Sequence, residues 1–187
     1  LQNLTVATNG RMDAYPAYGL NTPAEAALAM RHSDGNLSTA LVATGSDVKQ
    51  EANATVTTIH LKDPVYNIKV DLKYRAYKDV DMIEAWTEIN NGEKGTVTLT
   101  TFASAMLPIR RGDVWMSHLS GTWAAEAQLS HEKLQPGEFV IRNNDGVRNS
   151  HTDHAEVMFS LNGKGQENTG AVIGAALAYS GNYKLKT

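Results

Sequence analysis

The chain has 187 residues, enough for one large domain or two small ones. Apolar residues make up 42% of it and charged residues 20%, a balance that is typical of globular proteins and excludes an intrinsically disordered chain. The net charge of −3, with acidic and basic residues interspersed, gives no basic surface for nucleic acid or for an anionic membrane. No apolar run approaches the roughly 20 residues of a membrane helix, and the absence of cysteine excludes disulfides, thiol catalysis and cysteine zinc sites.

The first residues, LQNLTVATNG, have no initiator methionine and lack the basic and apolar regions of a signal peptide. The last residues, YSGNYKLKT, still alternate as a strand does. We therefore expect a piece of a longer protein, although a processed mature chain could begin in the same way. The compartment, cytoplasmic or periplasmic, is left open.

The segment TPAEAALAMRH at residues 22–32 differs from the rest of the chain. It has a proline near its start and a run of alanine, glutamate and leucine, so helix propensity predicts a helix here. Tertiary context can override such a propensity.

The clearest periodic pattern is PVYNIKVDLKYRAY at residues 64–77, where apolar and polar residues alternate. A period of two predicts a strand with one face in the core and one in water, and hence an antiparallel sheet. Weaker runs of the same kind follow along the chain, separated by polar turns roughly every eight to twelve residues. This spacing predicts a single all-β domain over residues 1–187, a sandwich or barrel rather than βαβ units.

Motifs with a defined chemistry are absent: the sequence has no phosphate-binding loop, metalloprotease motif or serine-hydrolase motif. His151 and Asp153 would share one face of an extended segment, but no third metal ligand is evident nearby, so a polar loop is favoured over a metal site.

Glu84 and Glu88 flank Trp86 on one strand face. A solvated sheet surface is favoured there over a pair of catalytic carboxylates, which spacing alone cannot establish.

Two of the three tryptophans lie in DVWMSHLSGTWAAEAQL, residues 113–129. Trp115 belongs to a strand-like run and is expected to pack within a sheet. Trp123 follows a turn at Gly121, where an indole is often half exposed and can stack on the apolar face of a sugar. These residues alone favour core packing for Trp123 and leave ligand binding as the alternative.

Several motifs occur in a fixed order along the chain: YPAYG, AMRHSDGNLSTALV, TTIHLKDPVYNIKVDLKYRAYKDVDMIEAWTEINNGEKGTVTL, HLSGTWAAEAQL, GVRNSH and YSGNYKL. Together, over about residues 15–185, they resemble the N-terminal domain of glycoside hydrolase family 36, the bacterial α-galactosidases. The chain departs from the family pattern near NTPAEAAL, where the family has an aromatic residue and Arg-Glu-Pro. It departs again at SHTDHAEV, where the family has Ser-His followed a few residues later by Asn-Pro, and the Asn-Pro is missing.

The resemblance implies a large antiparallel β-sandwich of the supersandwich, galactose-mutarotase-like kind, with extended chain rather than a helix at residues 22–32. It also implies a parent enzyme that hydrolyses terminal α-galactosides, such as melibiose and raffinose-type sugars, with retention of configuration. The two catalytic aspartates of the family lie in a (β/α)8 barrel that follows this domain. We therefore expect no catalytic residue, no metal and no cofactor in this chain. Its expected partners are the barrel, a galactoside at the domain edge and further copies in a homo-oligomer.

The resemblance also nominates individual residues. In the family, the segment like HLSGTWAAE lies near the barrel mouth and its tryptophan helps to wall the sugar pocket, which nominates Trp123 for substrate binding. The loop like GVRNSH nominates His151 for the same role. His118 and Glu126 are expected to hold the turn by hydrogen bonds.

An exposed apolar patch is expected where the barrel docks. The expected function is thus that of a non-catalytic domain packed against a catalytic barrel. The alternative is a free-standing carbohydrate-binding or structural β-sandwich that is not attached to a barrel. A weaker alternative is an enzyme complete in these residues.

Overall fold

The computed structural model describes residues 13–19, 25–109, 112–148 and 152–187. Within these ranges the chain forms strands and no helix, and every pairing between the named strands is antiparallel. The strands are Leu28–Arg31 (β1), Val42–Gln50 (β2), Ala54–Lys62 (β3), Ile68–Tyr77 (β4), Ile83–Asn91 (β5), Thr98–Phe102 (β6), Trp115–Thr122 (β7), Ala125–Lys133 (β8), Val140–Asn143 (β9), Asp153–Gln166 (β10), Thr169–Ala176 (β11) and Tyr183–Lys186 (β12). The all-β, antiparallel class predicted from the sequence is confirmed. Nothing in the described ranges is a helix long and apolar enough to cross a membrane.

The chain is divided into two compact units, Leu1–Pro108 and Ile109–Thr187. The first contains a four-stranded sheet of order β2-β3-β4-β5 and the pair β1-β6, and the second contains a four-stranded sheet of order β11-β10-β7-β8 and the pair β12-β9. The expectation of one domain over residues 1–187 stays a prediction.

Strand β4 shows how alternation builds the first core. Ile68, Val70 and Leu72 are buried, whereas Lys69 between them is exposed. Each fully buried aliphatic side chain stabilises the fold by about 1.5–3 kcal/mol relative to an exposed one. The pattern weakens toward the end of the strand, where Ala76 is exposed, so the core covers only part of this sheet face.

The described part of the predicted helical segment is extended. Leu28–Arg31 forms β1 and pairs with β6, for example Leu28 with Phe102. The Thr100 hydroxyl donates a hydrogen bond to the Ala29 carbonyl at 2.9 Å. The propensity-based helix is therefore wrong here, and the extended chain implied by the resemblance is right, because a neighbouring strand supplies the backbone partners. Residues 22–24 lie outside the described residues.

A buried polar network joins three loops of the first unit. The His32 ring bonds through Nδ1 to Glu93 Oε1 at 2.7 Å and through Nε2 to the Thr39 hydroxyl at 3.0 Å. It stacks on Tyr66, with ring centroids 3.6 Å apart. The Tyr66 hydroxyl in turn donates to Asp34 Oδ2 at 2.9 Å. Residues far apart in sequence thus fix the loops that carry HSDGN, LKDP and NNGEKG.

The core of the second unit lies on one face of its four-stranded sheet. Met116 on β7 lies opposite Phe159 on β10, and both are buried together with Val114, Ile141 and Val157. The β7–β8 hairpin extends from this sheet and carries the tryptophan nominated by the sequence.

Candidate functional site

The β7–β8 hairpin presents Trp123 at its tip. Thr122 pairs with Ala125, so Trp123 and Ala124 form the whole connection between the two strands. Ala124 has φ +62°, a left-handed conformation that non-glycine residues adopt uncommonly and mostly in turns. Trp123 is 81% exposed. The core packing favoured by the residues alone is therefore wrong, and the indole is available to a ligand or partner.

Short contacts on both sides hold the tip in place. Glu126 Oε1 accepts a hydrogen bond from the Ala124 backbone N–H at 3.1 Å, which confirms that Glu126 holds the turn. The Gly121 N–H donates to the Thr152 carbonyl at 2.8 Å. A Cβ at Gly121 would lie 2.8 Å from the Glu126 Cα, so only glycine allows the two strands to approach this closely.

A bulge next to the tip sets its direction. The strand register shifts between Ser120 and Thr122, and Ala127 on the facing strand has φ +55°. Bulges bend a strand and re-aim the side chains beyond them. The direction of the Trp123 side chain is thus set by backbone geometry at several positions.

His118 does not hold the turn. Its side chain is buried, its Nδ1 has no hydrogen-bond partner, and its ring packs edge-on against Phe139 with centroids 5.7 Å apart. The expected hydrogen bond to the turn is therefore wrong, because His118 lies on the core face of β7, opposite Val157.

His151, the second nominated residue, lies outside the described residues, and its role stays a prediction. Of its neighbours, Asp153 pairs with Ser120 in the sheet, and His154 Nδ1 lies 3.2 Å from Glu156 Oε1. Over the described ranges, no group of three or more histidines and carboxylates is placed to bind a metal ion.

Trp115, the other tryptophan of the segment, packs on its sheet as expected. It is half-buried in β7 between Ser160 of β10 and Lys133 of β8. The ammonium of Lys164 lies 5.9 Å from its ring centroid. The two tryptophans therefore have different environments although they lie in one hairpin.

The third tryptophan, Trp86 on β5, lies on the solvated face of the first unit. The Arg75 guanidinium is 5.2 Å and the Lys73 ammonium 6.0 Å from its ring centroid. Trp86 thus packs on the cations of β4, as the prediction of a solvated sheet face requires.

The two glutamates beside Trp86 are not arranged for acid–base chemistry. Glu84 and Glu88 are four positions apart on their strand, about 13 Å along the backbone, whereas the carboxyl groups of retaining glycosidases lie about 5–5.5 Å apart. The pKa of Glu84 is lowered by hydrogen bonds from Tyr77 and Arg75, and that of Glu88 chiefly by its bond to Lys73. A general acid needs a raised pKa, so both carboxylates serve structural ion pairs.

An apolar face lies on the second unit's sheet, opposite its core. Register places on this face Leu129, Met158 and Val172, each about half exposed, beside the half-buried Leu119. We call these four residues the apolar face. The patch expected from the sequence where the barrel docks stays a prediction.

The sequence profile described as "Glycosyl hydrolase family 36 N-terminal domain" matches residues 2–187. "Alpha-galactosidase 2" of Pediococcus pentosaceus is 32% identical over 136 residues, which cover 73% of this chain and 19% of that protein. "Probable alpha-galactosidase C" of Aspergillus terreus is 28% identical over 135 residues, covering 72% of this chain and 18% of that protein. The chain thus spans about a fifth of the length of these relatives, which come from both bacteria and fungi.

Solved structures share the fold. The GH36 alpha-galactosidase AgaA from Geobacillus stearothermophilus superposes with a TM-score of 0.85 at 23% identity, over 93% of this chain and 26% of that one. The alpha-galactosidase from Lactobacillus brevis gives 0.84 at 22% identity, over 92% and 25%. At this identity, the likeness establishes the β-sandwich architecture.

Proposed function

Because the chain belongs to the N-terminal domain family of glycoside hydrolase family 36, we propose that it is the non-catalytic β-sandwich of an α-galactosidase. In this proposal the parent protein hydrolyses terminal α-galactosides, such as melibiose and raffinose-type sugars, with retention. A catalytic (β/α)8 barrel elsewhere in that protein supplies both aspartates. The observation that carries the proposal is the family match over residues 2–187, together with relatives of which the matched residues cover about a fifth.

The carboxylates support a non-catalytic role. Glu84 and Glu88, which flank the half-buried Trp86, are ion-paired, too far apart and lowered in pKa. A retaining glycosidase needs one carboxyl group with a raised pKa beside a second one that stays ionised. The barrel is the expected source of that pair.

The apolar face supports packing against another part of the parent protein. Leu129, Met158 and Val172 lie on the same side of the sheet, on three of its four strands, and each is about half exposed. Burying apolar area yields about 25 cal/mol per Å², so covering this face would stabilise a domain contact. Subunit contacts in a homo-oligomer belong to the same proposal.

Trp123 is the proposed wall of the sugar pocket. Its indole is 81% exposed, while the turn beneath it is fixed by Glu126 and by the close approach at Gly121. An exposed aromatic ring on a fixed turn can stack on the C–H face of a galactose without any cost for ordering the loop that carries it. His151 is proposed for the same pocket on the resemblance alone.

The exposed Trp123 also suits a second candidate, a free-standing carbohydrate-binding β-sandwich. Hydrolysis of p-nitrophenyl α-D-galactoside, by this chain and by the complete reading frame that encodes it, separates the two. Activity of the complete protein with none in the 187-residue chain is the expected result. Activity in the chain alone would overturn the non-catalytic role, and inactivity of both would favour the binding module.

A further inference from the structure

Strand β2, Val42–Gln50, forms one edge of the first unit's four-stranded sheet. All nine of its residues are exposed, and the Val48 side chain is 62% exposed. No strand among the described residues pairs with its outer edge. Such an edge presents unpaired N–H and C=O groups and is a template for another strand.

The hairpin that follows fixes which backbone groups point outward. The Glu51 N–H donates to the Ala54 carbonyl at 2.8 Å, which makes that pair a hydrogen-bonded one. In an antiparallel ladder such pairs alternate with non-hydrogen-bonded ones. Given the register, Lys49 and Asp47 direct their backbone groups toward β3. The N–H and C=O groups of Ser46, Val48 and Gln50 therefore point to the free edge.

The side chains at this edge are self-complementary. If two copies of β2 lie antiparallel about a two-fold axis at Val48, Asp47 of each copy faces Lys49 of the other. Both contacts fall on non-hydrogen-bonded pairs, where Cα atoms lie only about 4.5 Å apart and side chains are closest. Ser46 then faces Gln50 of the second copy, so the outward backbone groups of both strands find partners.

Both charged side chains are exposed at this edge. The Asp47 side chain is 83% exposed, and only its Oδ2 is engaged, by His60 Nε2 at 2.9 Å. Lys49 is exposed and forms no ion pair with any residue in the described ranges. Charged side chains on an edge oppose its pairing with an arbitrary strand, but in this symmetric register each charge faces one of opposite sign, which stabilises a strand pair. The bulge of β2 lies at the far end, between Ala43 and Gly45.

We propose that two copies of this chain pair through the β2 edges, centred on Val48, to form a sheet that continues from one copy into the other. The proposal extends the oligomer contacts of the proposed function by naming their surface. It rests on strand geometry and charge rather than on galactosidase activity, so the two can fail separately.

Analytical ultracentrifugation of the 187-residue chain tests the contact. The wild type is expected to dimerise with rising concentration, and dimerisation should weaken as salt is added. Asp47→Lys and Lys49→Asp each place like charges opposite one another twice per dimer, and each should weaken dimerisation by about tenfold.

Mixing the two variants supplies the control for folding. The Asp47→Lys variant has lysine at both positions and the Lys49→Asp variant has aspartate at both, so an equimolar mixture should form a heterodimer with opposite charges facing each other. The double variant Asp47→Lys/Lys49→Asp restores opposite charges within a homodimer and should also dimerise. Lys69→Asp, on an interior strand of the same sheet, should dimerise as the wild type does. A wild type that stays monomeric at millimolar concentration overturns the proposal. So do single variants that dimerise like the wild type, or a mixture that stays monomeric.

Discussion

Two loop regions of this chain carry conspicuous aromatic and charged residues and use them in opposite ways. In the first unit, the loops around His32 enclose their polar groups: the ring is buried, both nitrogens are bonded, and Tyr66 covers one face. In the second unit, the β7–β8 hairpin uses Glu126 to fix its own turn and leaves Trp123 in water. A buried side chain whose hydrogen-bonding groups are all paired within the fold contributes to stability. An exposed side chain on a fixed turn is available for binding.

The largest expected effect comes from opening the enclosed region. His32→Ala removes a stacked ring and leaves Glu93 and Thr39 without their buried partner, so the free energy of unfolding should fall by about 3 kcal/mol. Urea denaturation of the 187-residue chain measures this. The control, His131→Ala, removes an exposed ring with one hydrogen bond to Ser117 and should cost less than about 1 kcal/mol. Equal losses in both variants would contradict the structural role of the His32 network.

The next effect concerns the support of the hairpin tip. Gly121→Ala places a Cβ against the Glu126 backbone, which cannot move without shifting the turn, so we expect a loss of about 2 kcal/mol. Gly174→Ala on β11 is the matched control, because a Cβ there has no atom within 4 Å. Thermal unfolding compares the two variants. A Gly121 variant as stable as the wild type would mean that the close approach is not required.

A smaller effect on stability, but a selective one on binding, is expected at the tip itself. In the complete enzyme, Trp123→Ala should lower kcat/KM for p-nitrophenyl α-D-galactoside about tenfold, since one stacking contact is worth about 1–1.5 kcal/mol. Its Tm should stay unchanged, because an exposed side chain contributes little to folding. Phe102→Ala removes another exposed aromatic side chain, from β6, and should leave both quantities unchanged. A drop in Tm without a change in kcat/KM would assign Trp123 to folding alone.

The smallest expected effect is a pH dependence confined to the enclosed region. The pKa of Glu93 is lowered, chiefly by its hydrogen bond to His32 and further by Ser33. A carboxyl group with a lowered folded-state pKa stabilises the fold above its unfolded pKa, about 4.5, and this stability is lost as the pH falls through the folded-state pKa. Unfolding free energies measured from pH 6 to pH 3 should therefore fall more steeply in the wild type than in Glu93→Gln. If the unfolding free energy falls equally steeply with pH in both proteins, Glu93 does not contribute to the loss of stability in acid.

Much of the fold follows from local pattern. The alternation at residues 64–77 predicted a strand and its buried face, and Ile68, Val70 and Leu72 lie there. The same alternation continues to Ala76, which is exposed, because the covering core ends before it. Local pattern indicates which face of a strand is apolar, but not how far its neighbours extend.

The site shows the same division. A turn at Gly121 could be read from the sequence, and so could the capacity of Glu126 to hold it. The exposure of Trp123 could not, because local residues favoured core packing and the outcome depended on a two-residue turn next to a bulge. His118 was misassigned for a related reason: its position on the core face of β7 depends on the register with β10.

The sequence by itself determined the all-β class, the strand alternation, the polar turns and the ordered motifs of the family, since all of these are properties of residues close together along the chain. Only the tertiary structure decided that Leu28–Arg31 pairs with β6, that His32 meets Glu93 across 61 positions, and that no other described strand covers the outer edge of β2. Those outcomes depend on which distant segments come together to satisfy backbone groups and cover apolar surface, and local pattern does not encode that choice.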